Sequence, residues 1–368
     1  MKNHFDIIII GTGSGGGTIA YKLAQSGKRI LILERGGFVP KEKENWDAHE
    51  VVTKGRYRPD ENWYDNEGKP FKPFIHYNVG GNSKFYGAAM FRFRESDFKE
   101  VKHYGGVSPA WPLGYDVYEP YYTQAEFLYH VHGKRGSDPT EPKARSEYRY
   151  PPLAYEPVII DLAMKMEQIG LRPFPLPMGM KLPQDISINE SPVKLENFDG
   201  FPDPTDSKAD AQTSALRNAL NNDNVTMITH AYVEKLITDE TGSKVTNVKA
   251  IVDGEEQFFS SDLIIVACGA VNSAALFLRS ANEQHPNGLA NSSDQVGRNL
   301  MLHHNGCLVA FTKKKNDSVF QKSLGLADFY HGAADSEFPL GEIQLMGRND
   351  PDTILWMGET LFPGKTYN

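Results

Sequence analysis

Asp6-Ile7-Ile8-Ile9-Ile10-Gly11-Thr12-Gly13-Ser14-Gly15-Gly16-Gly17, followed one helix length later by Leu31-Ile32-Leu33-Glu34, decides the fold. An apolar strand that runs into a glycine-rich turn, a helix over Thr18 to Ser26 and a second apolar strand is a dinucleotide-binding βαβ start. Gly11 allows the tight turn, Gly13 lets the backbone approach a pyrophosphate, and Gly16 lets helix and strand pack closely. The helix amino end then offers unpaired N–H groups and a favourable dipole to the phosphates. Glu34 ends the second strand where its carboxylate can accept hydrogen bonds from both ribose hydroxyls and would repel a 2′-phosphate. FAD or NAD therefore fits, and NADP does not.

The chain has 368 residues, 40% of them hydrophobic, enough to bury a large core and to form more than one domain. A net charge of -8 without a basic cluster argues against a nucleic-acid partner. The longest basic run, Lys313-Lys314-Lys315, reads as a solvated turn. No apolar stretch approaches the roughly 18 residues that span a bilayer. The first strand begins at Phe5, which leaves no room for a signal peptide and predicts a cytoplasmic protein. Cys268 and Cys307 are too few for a disulfide framework, and Cys268, beside an apolar strand, reads as a small buried residue.

Beyond the βαβ start, the polar stretch 39–75 reads as an irregular excursion, and a second glycine cluster follows at Gly80-Gly81. Tyr115 to His130 has a helical pattern, and 137–157 is proline-rich loop. Pro157 to Ile169 is helical in period, with Val158, Leu162, Met166 and Ile169 on one face. Pro173, Pro175, Pro177 and Pro183 oppose regular structure through to about residue 210. From Ala211 a helix leads to a strand at Val225 to Ile228, then Val233 to Thr238, Val245 to Val252 and Gln257 to Ser260. Thr241-Gly242 and Asp253-Gly254 mark the turns, so the pattern predicts an antiparallel meander. Leu263 to Ala267, continuously apolar, is expected as a buried parallel strand running into Cys268-Gly269-Ala270 and a helix. This order suits a flavoprotein better than a simple NAD dehydrogenase.

Five stretches resemble the glucose-methanol-choline oxidoreductase family of FAD enzymes. They are Gly11 to Gly16 with Glu34-Arg35-Gly36; Val79 to Gly87; Trp111-Pro112 with Tyr115 and Pro120 to Glu126; Ala267 to Leu278; and Val296 to Leu300. The resemblance implies an α/β fold (α+β overall): a Rossmann-like FAD-binding domain with an antiparallel meander over residues 1–300, with irregular insertions at about 39–75 and 137–210. It also implies an incomplete substrate domain with an antiparallel sheet over 301–368. It places cofactor contacts at Gly11, Thr12, Gly13, Ser14, Gly15, Gly16, Glu34, Arg35, Gly80, Gly81, Asn82, Ser83, Tyr86, Gly87, Val233, Cys268 and Gly269. The physics of the second cluster agrees, since a backbone thinned by Gly80, Gly81 and Gly87 can lie against pyrophosphate and flavin, with Asn82 and Ser83 as donors. Where some members bind FAD covalently through histidine, this chain has Phe85, which has no nucleophile, so non-covalent FAD is expected. Tyr86 replaces an asparagine common in the family.

The family's active-site histidine comes from a motif far toward the carboxyl terminus, which this chain lacks, so it reads as an amino-terminal part of a longer enzyme. Residues 301–368 read as the opening of the substrate sheet, with strands at Cys307 to Phe311 and Gly341 to Leu345. No catalytic residue is assigned. His303-His304 would point to opposite faces of a strand, and His130 and His132 lack a third ligand, so no metal is assigned. Ser14 sits inside the phosphate loop and no nucleophile elbow is present. The implied reaction is oxidation of an alcohol, sugar or polyol, in which a basic imidazole takes the hydroxyl proton while hydride passes to flavin N5 and then electrons to oxygen, quinone or another acceptor. Two other readings stay open: a binding protein that keeps a flavoprotein fold without redox chemistry, as in Rab GDP-dissociation inhibitors, and an NAD-linked dehydrogenase.

Overall fold

A computed structural model describes residues 4–65, 67–182, 198–203, 205–301, 305–309, 316–347, 353–355 and 358–359. His303, His304, Pro183 and Lys313 to Lys315 lie outside them. The chain forms two compact units, each assembled from separated segments: 1–40, 57–84 and 210–311 in the first, and 41–56, 85–209 and 312–368 in the second. Residues 85–209, expected within a domain spanning 1–300, thus group with the carboxyl-terminal stretch.

The first unit is built on β1 (His4–Ile10), α1 (Ser14–Ala24), β2 (Ile30–Leu33), β3 (Val225–Ile228), β4 (Ala231–Thr238), β5 (Val245–Val252), β6 (Glu255–Val266) and α2 (Ala270–Arg279). The strands form one six-stranded sheet in the order β3-β2-β1-β6-β5-β4. β1 and β2 are apolar at consecutive positions because both of their faces are covered. Ile7, Ile9, Ile30 and Ile32 pack with Ala20 and Ala24 of α1 on one face. Ile8, Ile10, Leu31 and Leu33 pack with Val233, Val248 and Leu276 on the other.

Three elements differ from the pattern read along the chain. Val225–Ile228 does not join the meander but pairs parallel to β2, Val225 opposite Ile30. The Glu34 amide donates to the Ile228 carbonyl at 2.9 Å and the Ala231 amide to the Glu34 carbonyl at 2.9 Å, so β3 and β4 are both tied to the end of β2. The expected strands at 257–260 and 263–267 are one strand, whose first half pairs antiparallel with β5 and whose second half pairs parallel with β1. Ser260-Ser261 looks like a break, yet the buried Ser261 hydroxyl donates to the Leu263 carbonyl at 2.9 Å and the strand continues. α1 begins at Ser14 rather than Thr18, because Gly13 (φ -61°, ψ -171°) already has the extended backbone of a helix cap.

In the second unit, helix Tyr115–Leu128 carries part of a buried ion network, while helix Pro157–Gln168 packs on Leu324. Arg92 holds Glu126 through two bonds of 2.7 Å and also reaches the Tyr115 hydroxyl at 2.9 Å. Helix Pro157–Gln168 buries Ile159 and Ala163, not Val158 or Ile169, which are exposed. Apolar residues almost encircle this helix, so periodicity alone does not choose the face. The proline-rich stretch still contributes Phe174–Pro175 to a three-stranded antiparallel sheet with Leu324–Leu326 and Ile343–Gln344. Pro175 is tolerated because its strand lies at the sheet edge. Of the strand expected at Cys307 to Phe311, residues 307–309 have no regular structure and residues 310 and 311 lie outside the described residues. His130 and His132 both stack on Tyr150, at 5.3 and 5.1 Å, and the described residues include no group of three metal-ligating side chains. No helix among the described residues is long and apolar enough to cross a membrane.

Candidate functional site

The carboxyl ends of β1, β2 and β6 open onto a cavity of about 670 Å³ in the first unit, within the roughly 300–1,000 Å³ typical of cofactor sites. Its walls include Gly11 to Gly15, Glu34, Arg35, Gly81 to Ser83, Val233, Cys268 and Gly269. Two loops far apart in sequence meet here: a Cβ on Gly81 would lie 3.3 Å from the Gly13 Cα.

A hydrogen-bond relay joins these loops to Glu34. The Gly80 amide donates to the Thr12 hydroxyl at 3.0 Å, and that hydroxyl donates to Glu34 Oε2 at 2.5 Å. The Thr12 amide reaches the same oxygen at 2.9 Å, and the Gly36 amide reaches Oε1 at 2.9 Å. A carboxylate has about four lone-pair sites. Three are taken by these donors and the Arg35 amide also lies against the carboxylate, so fewer than the two sites expected for ribose hydroxyls are left. Burial pushes the Glu34 carboxyl above its ordinary pKa, and the hydrogen bonds from Gly36 and Thr12 oppose that rise without cancelling it. Thr12, fully buried, acts as the link between loops.

The second glycine loop spends its side chains on itself. Asn82 accepts the His76 amide at 2.9 Å, while the Ser83 hydroxyl donates to the Gly80 carbonyl at 2.5 Å and accepts the Ala211 amide at 3.0 Å. Lys84 pairs with Asp210 at 2.8 Å, both buried, and so anchors the loop to the segment that enters the 212–216 helical turn. Asn82 and Ser83, expected as donors to the cofactor, line the cavity and also shape the loop. Of the other expected positions, Gly16 and Gly80 stand behind the walls. Tyr86 and Gly87 belong to the second unit, where the Tyr86 hydroxyl donates to the Ala209 carbonyl at 2.7 Å.

The walls suit a dinucleotide. α1 has no side-chain cap and no acidic residue in its first turn, so its leading amides are left for an anion. A Cβ built on Gly13 or Gly15 would meet nothing within 4 Å, so the space over the loop is open. Tyr77, Tyr232, Asn272 and Arg279 also line the cavity; Asn272 falls within the family-like stretch Ala267 to Leu278, and no motif in the sequence singles out Tyr232 or Arg279. Tyr77 carried a signal as well, since it lies three residues before Gly80.

Residues 74–305 match the family model described as GMC oxidoreductase. The chain belongs to the GMC oxidoreductase family. GMC oxidoreductases are FAD-binding flavoproteins, and FAD is the cofactor of this one. The chain is 28% identical over 303 residues to 6'''-hydroxyparomomycin C oxidase of Streptomyces lividus, covering 81% of this chain and 54% of the relative. It is 26% identical over 353 residues to 2-methyl-1,2-propanediol dehydrogenase of Mycolicibacterium austroafricanum, covering 91% of this chain and 62% of the relative. It thus spans a little over half the length of these curated GMC relatives. Among solved structures, pyridoxine 4-oxidase from Mesorbium loti shares the fold, with a TM-score of 0.51 at 19% identity over 75% of this chain and 52% of that one.

Cys268 lines the cavity, but burial, with Glu34 adding to it, pushes its thiol up to about 11. Near neutral pH it then carries roughly 100-fold less thiolate than an ordinary cysteine. Cys307 is exposed. A disulfide reagent at pH 8 is expected to titrate one thiol fast and the second only after denaturation. Two fast thiols would contradict the packing around Cys268.

Proposed function

We propose that this cavity holds FAD without a covalent bond, and that the chain serves oxidation of a CH–OH group in a small alcohol, sugar or polyol. The observation that carries this reading is the relay from Gly80 through Thr12 to Glu34. It fixes two phosphate-facing loops and a ribose-facing carboxylate as one rigid frame. The α1 amides would bind the pyrophosphate and Glu34 would orient a ribose hydroxyl. FAD, when bound, supplies a hydride acceptor at N5. Phe85 has no nucleophile where some family members have the linking histidine. The names of the relatives, a dehydrogenase of 2-methyl-1,2-propanediol and an oxidase of 6'''-hydroxyparomomycin C, favour a hydroxyl-bearing donor.

The test is to incubate the purified chain with FAD, desalt it, record the visible spectrum, and add diols and amino sugars under anaerobic conditions. Retained flavin bands, bleaching by a hydroxylated donor, and release of all flavin on acid precipitation are the expected results. A colourless protein that retains NADH would favour the NAD-linked reading, and yellow colour left in the washed pellet would overturn the non-covalent assignment.

A further inference from the structure

The cavity carries a set of planar groups that the loops and Glu34 do not account for. The Arg35 guanidinium lies 3.7 Å from the centre of the Tyr77 ring and 4.7 Å from that of Tyr232, and Arg279 faces the Tyr232 ring at 5.5 Å. All four side chains line the cavity. Arg35 follows Glu34 directly, so this surface lies next to the ribose position, where the base of a dinucleotide belongs.

Glu61 is not part of the wall, yet it grips two of these groups with one carboxylate. Oε2 accepts from Arg35 Nη2 at 2.6 Å, while Oε1 accepts from the Tyr77 hydroxyl and from the Trp63 indole N–H at 3.2 Å. Asn272 Nδ2 donates to the Tyr77 hydroxyl at 3.5 Å, tying that ring to α2 as well. The Arg35 and Glu61 side chains keep 35% and 30% of their exposure, so their ion pair adds little to folding stability. Its effect is on geometry: a long, rotatable guanidinium is held over the Tyr77 ring.

We propose that Glu61 is a positioning residue for the adenine of FAD, holding Arg35 and Tyr77 as a preformed, flat, cationic surface on which the purine stacks. The proposal rests on the reading that this cavity holds FAD. Purines stack on aromatic and guanidinium planes, and a surface ordered before binding saves the entropy of ordering it afterwards.

The experiment compares ADP, FAD and FMN binding by calorimetry for wild type, Glu61→Gln, Arg35→Lys and the double variant, with thermal melting of each unliganded protein. Glu61→Gln is expected to weaken ADP and FAD binding roughly tenfold, the size of one cation–π contact, and to leave FMN binding and the melting temperature nearly unchanged. Arg35→Lys, which keeps the charge and loses the plane, should weaken ADP binding similarly. The double variant should lose no more than Arg35→Lys alone, because both changes remove one device. Equal ADP affinity for wild type and Glu61→Gln would overturn the proposal. So would equal losses of ADP and FMN, which would mean a merely structural role, and so would additive losses in the double variant. Wild type that bound neither ADP nor FAD would overturn the cofactor reading and the proposal with it.

Discussion

Gly13→Val is expected to fold and to purify without flavin. At Gly13 the backbone angles of -61° and -171° are open to any residue, and the ideal Cβ meets no protein atom within 4 Å. Losing glycine at a helix cap costs about 1 kcal/mol, small against a stability of roughly 5–15 kcal/mol. The isopropyl group instead fills the space over the α1 amino end, where the phosphates would lie. Displacing the pyrophosphate should weaken FAD binding at least about 100-fold, or about 2.7 kcal/mol. A fluorescence titration of FAD, beside a melting curve within a few degrees of wild type, checks this. Unchanged affinity in the folded variant would mean that the phosphates are not held at this loop.

Gly16→Val should give the opposite result, a chain that does not fold. A Cβ there would lie 2.0 Å from the Gly11 carbonyl oxygen, 2.9 Å from its carbon and 3.3 Å from the Ala267 Cβ. The first two are backbone atoms at the end of β1, with no flexible tip to move aside. Relieving the clash means lifting α1 off the sheet and exposing Ala20 and Ala24, which pack on Ile7 and Ile9. The cost should exceed the roughly 1–3 kcal/mol of ordinary overpacking and approach the whole stability of the unit. Gly15→Ala is the control: its Cβ has open space, and an alanine within a helix gains about 0.5–1 kcal/mol over glycine. Circular dichroism and the soluble yield of the two variants measure the difference. A folded Gly16→Val protein would show that α1 does not sit against β1 as closely as described.

Neighbouring residues in the chain determined the two apolar strands around the first glycine turn. A parallel strand buried on both faces has to be apolar at every position, and a helix packed on it has to be thin at one point, so Ile7 to Ile10 and Gly16 are visible without coordinates. The second glycine cluster and the acid at Glu34 were equally plain. Partners across the fold were another matter. Asn82 and Ser83 are donors in any reading, but whether they serve a ligand or their own loop depends on His76, Gly80 and Ala211, and the last of these lies 128 residues from Ser83. Val225–Ile228 has the composition of a meander strand, and only the open edge of β2 makes it parallel. Ser260-Ser261 resembles a turn until β5 on one side and β1 on the other carry the strand through it. Glu61 lies in a polar stretch with no pattern of its own, and it acquires a role only when Arg35 and Tyr77 are folded against it. Periodicity reports which face of an element is buried; the choice of hydrogen-bond partner is made by chain segments that meet only in the folded state.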